Sequence, residues 1–541
     1  MHKQMLARYD AERVAIGLDP VVPLRDYKEP IPEGYLPNKY LLRYNKESKI
    51  NDLQDKYDYR LPYSKIVEKN SKEIDELSAL EKENRKMRLR LGKRQRMILK
   101  ILILGLQQST NQLMMESFTY VKKRNDPDKL GRTINPDQFN HDKDEDQEWK
   151  NKYGMLHIQG HITIGNIVGN KEVINKIKQN QTIESHAPKG LILNVSITPK
   201  DPAFFRWHRL VDETFNRGME VLKPCTFNDA PAITIKSCDI LLAFKDQLER
   251  VCPDGIHDRW QKYGETNFGN PNFPSTDILQ TKIVPRKLKT PDKDKDLEIQ
   301  HFYSREFYYF FRMKNNTKRN RFDPSTQKLV PISEEKDVTF RVFIVPEILA
   351  HDRKQWIEID KFKYRLNATG ETIISRACEL SSVIRKPAQK EKKDFDDTPG
   401  DDFPNDYCGC GWPYHLLLPC GTKDGMKFKL LVFISDWSID KVSDSTEEGS
   451  ISLCGRKFVS NRPVKYPDTR DMGYPFDRPY AGHSLNLTFT KPPIDPKTKK
   501  IESKSLPKFP PEATSNNPEN DWIDNLAMRD FTIQWDDKGL F

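Results

Sequence analysis

The stretch DPAFFRWHRLVD, residues 201–212, decides how the first part of the chain is read. Asp201-Pro202 reads as a helix start, because proline suits the first turn, where its missing N–H leaves no bond unmade. His208 follows within two turns, and Asp212 comes one turn further on the same face. A carboxylate at that spacing can orient a metal-bound histidine through its other ring nitrogen. Its plainer role is to pair with a nearby Arg or Lys. Upstream, YGMLHIQGHITIGN (153–166) sets His157 and His161 four residues apart in a mostly apolar run. On a helix such positions share one face with Cβ atoms about 5–6 Å apart, so two neutral imidazoles can reach one ion without bending the backbone. An HxxxH pair alone is a weak signal, and packed or surface histidines are its ordinary meaning. With His208 from a second helix it becomes a three-imidazole set. That set suits copper, zinc or iron and does not choose among them.

The rest of the composition narrows the classes. A chain of 541 residues suggests roughly two to four domains. It is 36% hydrophobic and 31% charged, with a mean hydropathy of −0.76, and its 37 prolines outnumber its 25 glycines, which fits many extended connections. The net charge of +10 balances 89 basic against 79 acidic residues and gives no reason to expect nucleic acid. Residues 85–100 concentrate basic side chains, but no aromatic residues interleave with them, so they read as a solvated helix face. The longest apolar run, MILKILILGL (97–106), is far short of the about 20 residues that span a bilayer. The opening MHKQMLARYD has no apolar leader region, so neither a signal peptide nor a membrane partner is expected. Eight scattered cysteines do not make a disulfide scaffold. Sequons at Asn180, Asn194, Asn315, Asn367 and Asn486 matter only in an exported chain.

Along the chain the texture changes once. Residues 65–123 read as helical, 124–150 as a polar, proline-punctuated loop, and 153–217 as helices carrying the histidines. After about Pro224 come short β-branched and aromatic segments: AITIKSCDILLAF, EFYYFFRM, VTFRVFIVP, FKLLVFISDW and SLNLTFT. Turn residues separate them, the pattern of an all-β sandwich. The expected fold class is multidomain α + β, with a helical domain over 1–225 and an immunoglobulin-like β-sandwich over 226–541.

YGMLHIQGH, followed by DPAFFRWHRLVD with His208 47 residues after His161, resembles the second copper-binding region of arthropod hemocyanins and prophenoloxidases. The opening MHKQMLARYDAERVAIGL is similar to the segment that carries the last histidine of the family's first copper site. LRDYKEPIPEGYLPN continues the likeness, and its EPIPEGY is closer to prophenoloxidases than to oxygen carriers. CGCGWPYHLLLP and YPDTRDMGYPFDRP are similar to the family's C-terminal domain. The resemblance implies that His157, His161 and His208 hold the second copper, that His2 belongs to the first, and that dioxygen and a small phenol are the reactants. It also implies an extracellular protein of the haemolymph and allows homo- or hetero-oligomers. An oxygen carrier and a hexamerin-like storage protein are the alternatives.

Several features depart from the family pattern. Two further histidines of the first copper, and an N-terminal helical domain, would precede Met1, so an incomplete two-metal site is expected. The polar residues 110–149 stand where the family has an apolar helix. Leu191–Lys200 (LILNVSITPK) holds no carboxylate, whereas phenoloxidases place a glutamate shortly before the third histidine to accept the phenol proton. General-base help of that kind contributes typically about 10²–10⁴-fold, so weak activity follows. Tyr414 stands where a thioester glutamine would be, so no thioester can form. The family pairs its CxC with two later cysteines; here the resemblance implies a bridge from Cys408 or Cys410 to Cys454, with Cys420 the other candidate sulfur.

Overall fold

A computed structural model describes residues 2–25, 29–35, 60, 62–63, 156–165, 190–193, 198–220, 222–225, 229–253, 257–289, 296–385, 412–441, 469–471, 473–478 and 524–536. The expected helix over 65–123, the loop over 124–150 and the strand SLNLTFT lie outside them. So do Cys408, Cys410, Cys454 and the sequons at Asn180, Asn194 and Asn486. The chain divides into two compact units, one of residues 3–20 with 224–541 and one of residue 2 with 21–223. Among the described residues no helix is long and apolar enough to cross a membrane.

The larger unit is a sandwich of two sheets. In the smaller sheet, β5 (Phe307–Asn315) lies centrally. β10 (Glu371–Ala377) pairs along one edge, and β1 (Ile233–Thr234) and β2 (Ile240–Phe244) pair in succession along the other. The larger sheet uses six strands: β3 (Ile278–Lys289), β4 (Asp296–Ser304), β8 (Lys336–Pro346), β9 (Ile357–Leu366), β13 (Met426–Asp436) and β14 (Leu526–Trp535). Their order is β4-β3-β14-β13-β8-β9. Every pairing is antiparallel except β14 on β3, which is parallel. A hairpin of β6 (Lys318–Asp323) and β7 (Lys328–Ser333) and a short parallel pair of β11 (Ile384–Arg385) with β12 (Trp412–Pro413) complete the strands.

The two-residue period of a strand explains why β5 reads as an unbroken aromatic run. Phe307, Tyr309, Phe311 and Met313 face the core between the sheets. Tyr308 and Phe310 face the opposite way. There two helices that the sequence texture did not suggest, α4 (Lys245–Val251) and α5 (His257–Asn267), supply Leu248 and Trp260. β8 and β13 are likewise buried on both faces. Phe340, Val342, Ile344, Leu430, Val432 and Ile434 point into the main core, and Phe343, Val345, Leu431 and Phe433 pack beneath Trp356 and Phe476. Phe340 stacks on Phe311 of the other sheet at 5.7 Å and on Phe362 at 4.9 Å, ring centre to ring centre. Each such buried ring is worth about 1.5–3 kcal/mol.

Helix α1 (His2–Ala15) has little apolar surface, and from Lys3 onward it belongs to the sandwich unit. Ala7 and Ala11 enter the main core, Leu6 is fully buried, Val14 packs on the cluster around Trp356 and Phe476, and polar side chains add further contacts. Gln4 donates to the Trp356 carbonyl and accepts from the Glu358 N–H. Gln355 donates to Asp10 at 2.8 Å. Arg8 donates to the carbonyls of Leu416 (2.6 Å) and Leu417 (2.9 Å) with its guanidinium over the Trp412 ring. Burial pulls the Arg8 pKa down to about 9.

In the smaller unit α2 (Leu156–Gly165) packs against α3 (Ala203–Glu220). Gly160 makes the close approach feasible, since a Cβ there would fall 2.0 Å from the Trp207 ring. Trp207 is fully buried and donates its indole N–H to the His157 carbonyl at 3.2 Å. Asp201 starts α3 as the sequence suggests, accepting the Ala203 N–H at 2.9 Å.

Candidate metal centre

α2 carries His157 and His161 one turn apart, and α3 brings His208 across to them. The Nε2 atoms of His157 and His208 are 2.8 Å apart, those of His157 and His161 3.1 Å, and those of His161 and His208 3.4 Å. Three nitrogen donors at about 2.0–2.1 Å from one tetrahedral ion would be separated by roughly 3.3 Å. The donor set therefore fits a single transition-metal ion. His2, the first residue of α1 and grouped with the smaller unit, adds a fourth imidazole. One nitrogen each of His2, His157 and His208 lie within 4.8 Å of one another. The structure thus brings together all four histidines that the sequence singled out.

The far sides of two rings are fixed by backbone. His161 Nδ1 donates to the Ile192 carbonyl at 2.8 Å, and His208 Nδ1 donates to the Phe204 carbonyl at 2.6 Å. A proton held on Nδ1 leaves the Nε2 lone pair free for a metal. Asp212 does not orient His208. The carbonyl one turn back on α3 already takes that nitrogen, and the Asp212 carboxylate is buried 3.6 Å from Arg209. Phe204 is buried against the cluster: it is 4% exposed and its ring centre is 3.8 Å from that of His208.

Burial lowers all four imidazole pKa values, His2 to about 3 and His157 to about 4, with neighbouring imidazoles adding to the effect. His208 is driven well below its usual range by the same causes. His161 is lowered by burial against a partial lift from the Ile192 carbonyl. The cluster is neutral near pH 7, the state a cation requires.

Sequence reasoning missed what supports this cluster. The loop preceding α3 is anchored by Arg60, whose buried guanidinium grips Asp201 with both nitrogens (2.7 and 2.5 Å). Arg206 on α3 pairs with Glu33 at 2.6 Å. Nothing local marks Arg60, because its partner lies 141 residues away. Among the described cysteines, Cys225, Cys238, Cys252, Cys378 and Cys420 are free thiols.

The family profile described as hemocyanin, copper containing domain, matches residues 1–215, and that described as hemocyanin, ig-like domain, matches residues 287–494. Hemocyanin C chain of Aphonopelma sp. is 28% identical over 498 residues, covering 90% of this chain and 65% of the relative. Phenoloxidase subunit 1 of Manduca sexta is 26% identical over 515 residues, covering 91% and 62%. The chain thus spans just under two thirds of the length of these relatives. A scorpion hemocyanin in its activated state shares the fold with a TM-score of 0.60 at 20% identity, covering 99% of this chain and 68% of that one. A hemolymph type prophenoloxidase from a crustacean gives 0.55 at 17%, covering 99% and 64%. With the HxxxH helix, the His208 helix and the sandwich in the order those two profiles describe, the chain belongs to the arthropod hemocyanin and prophenoloxidase superfamily of type-3 copper proteins.

Proposed function

We propose that this chain is a copper protein of phenoloxidase type, holding one copper at His157, His161 and His208 and offering His2 toward the second ion of the family's pair. The reading rests on one observation, the convergence of three Nε2 atoms to within 3.4 Å. Copper so held supplies electron exchange with dioxygen and with an o-diphenol or monophenol. The chain's own residues keep four imidazoles neutral, set two of them by backbone carbonyls, and cover the His208 ring with Phe204. Leu191–Lys200 offers no carboxylate to take a phenol proton. That proton passes to solvent, and hydroxylation of monophenols is weak. The EPIPEGY segment and the Manduca sexta relative favour phenol oxidation, and the likeness to a hemolymph type prophenoloxidase supports a haemolymph location.

Oxygen carriage is the second reading, favoured by the hemocyanin relatives. The copper-to-chain ratio after reconstitution, measured by elemental analysis beside catechol-dependent oxygen uptake, separates the readings. One copper per chain with slow uptake supports the proposal. Reversible dioxygen binding without phenol oxidation replaces it with carriage. No copper replaces it with a storage role. Two coppers overturn the single-site assignment and require ligands beyond these four histidines.

A further inference from the structure

We infer that Tyr35 and Arg60 are positioning residues of the metal centre, holding the two backbone carbonyls that aim His161 and His208. Tyr35 and Arg60 form a one-rung antiparallel bridge: the Tyr35 N–H donates to the Arg60 carbonyl at 3.0 Å, and the Arg60 N–H donates to the Tyr35 carbonyl at 3.1 Å. The Arg60 guanidinium also lies over the Tyr35 ring, 4.9 Å from its centre.

From this bridge two arms reach the site. The Tyr35 hydroxyl accepts the Leu191 N–H at 3.1 Å. That contact pins the 3-10 turn Leu191–Leu193, whose Ile192 carbonyl takes the His161 Nδ1 proton. On the other side, the Arg60 fork closes on Asp201, with side chains 1% and 0% exposed. Asp201 caps α3 through the Ala203 N–H and, through its carbonyl, accepts the Phe204 N–H at 2.9 Å. The Phe204 carbonyl then takes the His208 Nδ1 proton. The geometry leaves no slack at the bridge. A Cβ on Gly34 would lie 2.6 Å from Pro62 and 2.7 Å from the Arg60 carbonyl, so only glycine lets the strand approach this closely. EGY is therefore a support for the centre rather than part of it.

The inference rests on the metal reading but is tested apart from it, because the tautomers exist without metal. In the apo chain carrying 15N-histidine, His161 and His208 are expected as Nδ1–H tautomers at pH 7.5. Tyr35→Phe removes one oxygen, keeps the ring, and is expected to turn His161 into a tautomer mixture while His208 stays unchanged. Arg60→Lys keeps the charge, loses the fork, and is expected to do the same to His208. In the copper-loaded chain each variant weakens Cu(I) affinity by about ten- to a hundredfold against a chromophoric chelator. Arg25→Ala, which breaks a more exposed ion pair with Glu213 in the same unit, leaves tautomers and affinity unchanged. Wild-type tautomers in Tyr35→Phe overturn the inference even if its stability falls, and this variant decides it alone should Arg60→Lys not accumulate. A wild-type chain that shows both tautomers yet takes up no copper sinks the metal reading and leaves the positioning role standing.

Discussion

His157 and His208, 51 residues apart in sequence, hold their Nε2 atoms 2.8 Å apart, a separation two buried imidazoles keep only when at least one of them is uncharged. Between pH 6.5 and about 4 the unfolded chain protonates His2 and His157 while the folded one leaves them neutral, because burial holds His157 at about 4 and His2 at about 3. The native state therefore binds fewer protons, and stability present above pH 6.5 is lost as pH falls. Thermal unfolding of the apo chain is expected to shift to lower temperature between pH 7 and pH 5. His157→Gln is expected to flatten that dependence. Because the folded rings stay neutral down to about pH 4, proton competition predicts copper release only near or below that pH, read by chelator capture.

Replacing Gly160 with alanine puts a methyl 2.0 Å from the Trp207 ring. The helices α2 and α3 must part, and the Trp207 bond to the His157 carbonyl goes with them. Overpacking of this kind typically costs about 1–3 kcal/mol. The expected outcome in urea is a lower unfolding midpoint together with loss of copper binding, both partly restored by Trp207→Phe.

Asp201→Asn leaves the Arg60 guanidinium buried without its counter-charge. Removing one partner of a buried pair costs about 3–5 kcal/mol, more than the loss of a helix cap alone, about 1 kcal/mol. Arg60→Met combined with Asp201→Asn is expected to recover most of the difference, measured by chemical denaturation of the wild type and the two variants.

Two of the five sequons lie in described regions, and burial separates them. Asn315 is 6% exposed and donates its amide to the carbonyls of Glu334 and Asn367. Asn367 is exposed. Expression through a secretory pathway is expected to place a glycan on Asn367 and none on Asn315, as read by peptide mass after glycosidase treatment.

The sequence announces those parts whose signal is local. The HxxxH spacing and the Asp-Pro start place α2 and α3. Aromatic, β-branched runs mark β1, β2, β5, β8 and β13, because strands buried on both faces are built mostly from apolar residues. What escaped is set by distant partners. β9 mixes Glu358, Asp360 and Lys361 into a buried strand, where Arg376 pairs with Asp360 and Lys361 lies beside Glu358. α4 and α5 escaped because their apolar sides fit only the back of β5. Arg60 escaped for the same reason, being meaningful only once Asp201 is brought to it. Asp212 shows the opposite error. Its helical spacing is right, but the Phe204 carbonyl is nearer to His208 and needs no side-chain entropy to act.

The parallel pairing of β14 with β3 bears on how the protein is made. β14 lies between β3 and β13, yet it is the last of these strands to be synthesised. Until residues 526–535 leave the ribosome, the larger sheet is two separate fragments, β3 with β4 and β13 with β8 and β9. Each fragment then exposes an unpaired edge with buried-type side chains such as Leu279 and Leu431. Closure of the larger sheet therefore waits for residues 526–535, its last described strand.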